Sequence, residues 1–199
     1  MNIGFAVTLC VFIFVILFLF IFEKKHPKAK ELVLIADLVV LSICARGIFS
    51  FVPYFNPVIA LLIIWAVNKG ALTGFITGVL TAFGSNFIFG QGPWTVFQCF
   101  SWGGTAFIFG LLSRFGVLNG NLWSKKDFIF AGILSFLVVL IFTGPFCDLS
   151  SFFLAGIIEK NALKIVLLAG VPFNATLGLS TVLTLFLCAN PLFKILKRV

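Results

Sequence analysis

Apolar residues run in long blocks along the chain, separated by short polar connections. The blocks cover residues 4–22, 31–51, 57–67, 71–89, 95–115, 128–146 and 161–189, and Asp37 and Arg46 are the charges inside the second. About 20 apolar residues at 1.5 Å rise cross the hydrocarbon core of a bilayer as a helix. Every block except the third therefore predicts a spanning helix. The third, residues 57–67, reaches only about 17 Å as a helix and cannot cross unaided. It predicts either a short tilted helix or a preceding loop that dips into the membrane. The first block has no basic leader and no small-residue cleavage site, so it is read as a retained helix rather than a signal peptide. With no linker or low-complexity segment, residues 1–199 form one all-α integral membrane domain of seven helices.

Composition agrees. The chain is 61% hydrophobic and 10% charged with a mean hydropathy of +1.22, where soluble proteins have about 45–50% apolar and about 25% charged residues. Seven spans leave no room for a soluble catalytic domain, which removes most enzymes. A net charge of +8 from 14 Lys and Arg against 6 Asp and Glu would, in a soluble protein, raise the question of nucleic acid. Here the charges mark orientation instead. With the N-terminus outside, Lys24, Lys25, Lys28, Lys30, Lys69, Arg114, Lys125, Lys126, Lys194, Lys197 and Arg198 fall inside, Lys160 and Lys164 outside, and Arg46 within the membrane. The cysteines show no metal or disulfide spacing and are read as small hydrophobes.

This topology leaves three outer connections, residues 52–56, 90–94 and 147–160. The second, within Phe89-Gly90-Gln91-Gly92-Pro93-Trp94-Thr95, is a tight Gly-rich turn that is either an ordinary turn with an interfacial Trp or a close backbone approach to a ligand. After it, Thr95, Gln98, Trp102 and Thr105 share one face of an apolar helix, and such a stripe must meet either a cavity or a neighbouring helix. Arg46 lies near the outer end of its helix, within reach of headgroups or of a ligand's oxygens. Asn86 and Asn174 are amides at apolar depth, the latter able to satisfy a carbonyl freed by Pro172. Asp148 is placed in the third outer loop. Gly70, Gly74, Gly78 and Ala82 repeat every four residues, for packing inside the bundle or for docking another membrane protein.

Other chemistries lack their residues. There is no Gly-x-x-x-x-Gly-Lys-Ser/Thr phosphate loop, the single His26 lies in an inside loop, and neither paired intramembrane carboxylates nor a Ser or Cys triad can be assembled. What remains is a membrane-embedded binding protein that borrows energy from partners, or a structural subunit of a membrane complex with no ligand of its own.

Ala45-Arg46-Gly47 through Pro53 and Asn56-Pro57, the Gly-rich fourth helix ending Ser85-Asn86-Phe87, and the Gly90-Gln91-Gly92-Pro93-Trp94 turn with Gln98 together resemble a substrate-binding S-component of an energy-coupling factor (ECF) vitamin transporter, most closely the cobalamin-specific group. The resemblance implies a compact bundle of six core helices in residues 31–199, preceded by an extra N-terminal helix and basic inside loop in residues 1–30. It also implies a bacterial cell-membrane protein with its C-terminus in the cytoplasm that takes up a vitamin, cobalamin first, from outside. A transmembrane coupling protein and two cytosolic ATPases would supply the energy, ATP and Mg residing on them, and the chain itself would hold no cofactor or metal and catalyse nothing. The outer connections would line the site, giving Arg46, Tyr54, Asn56, Asn86, Gln91, Trp94, Gln98, Trp102 and Asp148 as its residues. Ala36, Ala45, Gly70, Gly74 and Gly78 would form the docking face. An S-component for another vitamin or precursor fits the same pattern.

Overall fold

The computed structural model describes residues 3–53, 55–154 and 160–198. Its helices are α1 (Ile3–Glu23), α2 (Ala29–Ile48), α3 (Val58–Lys69), α4 (Ala71–Phe89), α5 (Trp94–Arg114), α6 (Lys125–Val138), α7 (Gly144–Leu154) and α8 (Lys160–Leu196), with a π turn at Val139–Thr143 joining α6 to α7; the described residues contain no strand. Five stretches, Gly4–Glu23, Ala71–Phe89, Trp94–Arg114, Lys125–Phe153 and Asn161–Leu196, are long and apolar enough to cross a membrane. α2 has a similar length but carries Lys30, Glu31, Asp37 and Arg46. Large apolar side chains such as Ile13, Phe20, Ile129, Ile133, Leu168 and Leu187 face outward. So much apolar exterior fits a multi-pass protein whose solvent is lipid.

The short third block is the centre of the bundle. Every residue of α3 from Val58 to Val67 is buried, packed among α2, α4, α5 and α8. A helix sealed on all sides by protein has no need to match the bilayer thickness. Of the two expectations for this block, the short helix holds.

α4 and α5 make the most extensive helix pair, and small residues bring them together. A Cβ on Gly78 would come within 2.7 Å of the Gly103 nitrogen, one on Gly103 within 2.9 Å of the Phe75 carbonyl, and one on Gly110 would strike the Ala71 backbone. Gly74 lies against Ala66 of α3 and Ala106 of α5. The four-residue repeat on α4 thus packs the bundle interior, which corrects the expectation that Gly74 and Gly78 form a docking face. α1 lies on the same pair through aromatic contacts, the Phe18 ring centroid sitting 4.3 Å from Phe75 and 5.3 Å from Phe107.

The sixth block departs from expectation. The helix does not stop at Phe146 but continues through α7 to Leu154, so Asp148 stands on a helix and not in a loop. Pro145, without an N–H and with a ring that crowds the carbonyl four residues back, would break an ordinary helix. Just upstream the chain widens into the π turn, where the Gly144 N–H donates to the Val139 carbonyl five residues back. The Thr143 carbonyl accepts from Ser101 Oγ at 2.7 Å, and the Thr105 and Thr143 hydroxyls meet at 2.7 Å. Ser101 therefore serves this backbone, and Thr105 of the polar stripe meets the Thr143 side chain beside it.

α8 runs through both Pro172 and Pro191 and ends seven residues beyond the expected limit at Ala189. Its 37 residues span about 55 Å, more than the hydrocarbon core requires. The basic connections meet at one end of the bundle. One cavity brings together Lys25, Lys69 and Arg114 and another Lys28, Lys30 and Lys69, while Asn190 near the end of α8 accepts from the Trp123 N–H at 2.7 Å.

Candidate functional site

Arg46 occupies the last turn of α2, where its side chain reaches across to α4 instead of out to headgroups. Its Nη1 donates to Ser85 Oγ and, at 3.0 Å, to Asn86 Oδ1. The guanidinium also lies 4.4 Å from the centroid of the Phe89 ring and 5.3 Å from that of Trp102, where ring faces attract a cation. Asn86, 1% exposed, carries the connection on to α5. Its Nδ2 donates to Thr95 Oγ1 at 3.0 Å and to Gln98 Oε1 at 2.8 Å.

The Gly-rich turn closes this cluster. Gly90 ends α4 with φ +101, a conformation that favours glycine. Gln91 Nε2 donates to the Phe83 carbonyl at 2.9 Å, and Gln91 Oε1 accepts from the Thr95 hydroxyl at 2.9 Å. The Trp94 ring folds over Gly92 so closely that any side chain there would strike it. The neighbouring-helix reading of the α5 stripe accounts for all four residues: Thr95 and Gln98 bond across to Asn86, Thr105 to Thr143, and the buried Trp102 ring lies against the Arg46 cation of α2.

Several donors are left unspent. Asn86 uses its oxygen once and both its amide hydrogens, so it positions its neighbours and has nothing further to donate. By contrast, Arg46 Nε and Nη2, the Gln98 amide nitrogen and the Trp102 indole nitrogen have no hydrogen-bond partner among the described residues. All are donors. Their natural complement is an oxygen-rich group: a carboxylate, an amide carbonyl or a phosphate.

The remaining expected site residues lie apart. Asn56 is structural: its backbone exchanges hydrogen bonds with Ser180 Oγ at 3.0 and 2.9 Å, and its Oδ1 accepts from the Val58 N–H at the start of α3. Asp148 Oδ2 accepts from Asn174 Nδ2 at 2.7 Å. Gly170 and Gly144 make room for this pair, since a Cβ on either would strike the Asp148 carboxylate or the Asn174 amide. Asn174 therefore serves Asp148 and not the carbonyl freed by Pro172. Cys147, beside Asp148, touches Ser101 of α5, one residue before Trp102. Tyr54 lies outside the described residues. Among the docking residues, Gly70 takes φ +100 at the α3–α4 corner, Ala36 is exposed on α2, and Ala45 is half-buried at an apolar groove between α2 and α8.

Ser85 and Phe89, which hold the Arg46 cation, were not singled out from the sequence. The available signal was their mutual spacing, because Ser85 and Phe89 are four apart and share a face at the end of α4, with Phe89 also three after Asn86. A cavity of 460 Å³ between α1 and the α4–α5 pair reaches Gln91 and Thr95 at the edge of the cluster; Arg46, Gln98 and Trp102 do not line it. Comparison with family models, with curated proteins and with solved structures finds no match to this chain.

Proposed function

We propose that the chain is the membrane-embedded substrate-binding subunit of an ECF-type ABC transporter, capturing a vitamin from outside for uptake driven by ATP hydrolysis on partner subunits. The observation that carries this proposal is the set of unspent donors on Arg46, Gln98 and Trp102 at the end of the bundle away from the basic connections, with Arg46 and Gln98 tied together by Asn86 and Arg46 lying against Trp102. A donor-rich cluster between membrane helices whose Ser85 and Thr95 hydroxyls have no His or carboxylate base beside them among the described residues suits binding rather than catalysis. In this role α1 is the extra N-terminal helix and α2 to α8 supply the six-helix core, with α6 and α7 counted as one span. The basic end lies in the bacterial cytoplasm, as the positive-inside rule requires. A transmembrane coupling protein and two ATPases complete the machine.

Cobalamin is the first candidate ligand, on the Gly-Gln-Gly-Pro-Trp turn and on amide-rich chemistry that complements donors. A smaller vitamin or precursor is the second reading, favoured by the 460 Å³ cavity beside Gln91 and Thr95, within the roughly 300–1,000 Å³ usual for small-molecule sites. Purification from native membranes in mild detergent tests the proposal. A coupling protein and two ATPases should come with the chain, together with a ligand whose absorbance or mass identifies it. Recovery of the chain alone, without ATPases and without ligand, would remove the transport role.

A further inference from the structure

The largest of the cavities described, at 590 Å³, sits at the basic end between α1 and the α4–α5 pair. Lys25 from the exit of α1 and Arg114 at the end of α5 line it, Lys69 at the end of α3 stands between it and the adjacent cavity with its ammonium 5.9 Å from the centroid of the Trp65 ring, and no acidic side chain lines it. Below the rim the walls turn apolar, with Phe18 and Ile21 of α1 facing Phe107 and Leu111 of α5. The start of α4 also opens here. No side chain caps it, the first bond of the helix runs from the Gly74 N–H to the Gly70 carbonyl at 3.0 Å, and the N–H groups of Ala71, Leu72 and Thr73 have no partner among the described residues. The Glu31 carboxylate accepts from Thr73 Oγ1 at 2.8 Å and lines the adjacent cavity with Lys28, Lys30 and Lys69.

We infer that this cavity binds a phosphate group at its rim. Lys25 and Arg114, with Lys69 at the border, beside unpaired backbone N–H groups form an anion site, because the helix dipole and these side-chain charges act in the same direction. The apolar walls beneath make a phospholipid suitable, its phosphate at the rim and its acyl chain between α1 and α5. Basic pockets between membrane helices at the cytoplasmic surface recognise anionic headgroups in this way. Such a lipid would add to the packing of α1 on the α4–α5 pair, which Val15, Phe18, Leu19 and Phe22 already make. The inference rests on the membrane reading of the bundle and not on transport, so the two can fail separately.

Native mass spectrometry of the full chain in detergent, titrated with phosphatidylglycerol or with phosphatidylcholine of the same acyl chains, tests it. Wild-type protein should hold phosphatidylglycerol about thirtyfold more tightly than a Lys25→Gln/Arg114→Gln double variant, at the usual worth of two interfacial cations. A Lys194→Gln/Lys197→Gln control, equal in charge but away from the cavity, should behave as wild type, and phosphatidylcholine should be indifferent to both. Excess inorganic phosphate separates the sources: displacement of the lipid marks a site that also takes free phosphate, and retention marks a headgroup site. Equal loss in both double variants, or equal binding of the two lipids by wild-type protein, would overturn the inference.

Discussion

Replacing Gly78 with alanine lowers the stability of the bundle by about 1–3 kcal/mol, as overpacking does in a tight core. The added Cβ would lie 2.7 Å from the Gly103 nitrogen, 2.8 Å from its Cα and 2.9 Å from the Trp102 carbonyl carbon, all backbone atoms of α5. Backbone cannot turn aside as a flexible side chain can, so α4 and α5 must separate. That separation also strains the contact of Gly103 with Phe75 on the same seam. Gly47 provides the opposite case. It lies on α2 with nothing within 4 Å of a built Cβ, so Gly47→Ala should be neutral or stabilise by about 0.5–1 kcal/mol through the entropy of the unfolded chain. Thermal unfolding of the two variants in one detergent reads the difference. Domains of this size shift by about 2–4 °C per kcal/mol, so Gly78→Ala should melt several degrees lower and Gly47→Ala no lower. Equal melting would mean that the small-residue seam is not where the helices meet.

Asn86→Leu is the second large effect. A single hydrogen bond between membrane helices is worth about 0.6 kcal/mol on average, which would make this change minor if Asn86 made only one. It makes three, to Arg46, Thr95 and Gln98, and is 1% exposed. Bonds to a charged partner are the stronger kind, about 1.5–3 kcal/mol. Leucine fills the same space but leaves the guanidinium with Ser85 as its one hydrogen-bond acceptor. A loss of about 2–3 kcal/mol follows, measured by the same thermal unfolding. Phe87→Leu, at an exposed neighbouring position, should change it little. A loss no greater than in Phe87→Leu would show that the cluster does not hold α2, α4 and α5 together.

Apolar periodicity made most helices legible, because each lipid-facing or buried run must be long enough to hide its backbone. It failed where a polar residue lies on a helix for tertiary reasons. Asp148 looks like a loop acid until Asn174 comes into view 26 positions away, a pairing that no local pattern carries. The π turn was illegible for another reason: Val139-Leu140-Ile141-Phe142-Thr143 reads as ordinary helix, and only Pro145 downstream hints at a widened turn. The small-residue face on α4 was visible as a face, but periodicity says which residues share a side and not what lies opposite. The same limit applied at the site. Arg46, Asn86 and Gln98 were each conspicuous as polar groups at apolar depth, while their connection across 40 and 12 positions needed the fold.

Whether the unspent donors around Arg46 hold a ligand is read most directly by a binding titration. Purified protein, stripped of bound ligand, is titrated with cobalamin and followed by its absorbance, alongside Arg46→Gln, Gln98→Ala and Trp102→Phe variants whose unfolding has been checked. Each removed donor that meets a ligand oxygen should weaken binding about tenfold, since one such bond is worth about 1.4 kcal/mol, with Arg46→Gln the most affected. Saturable binding by wild-type protein with graded loss in the variants is the predicted result. No binding of cobalamin or of any smaller vitamin by wild-type protein, or an affinity unchanged in all three folded variants, would contradict the account.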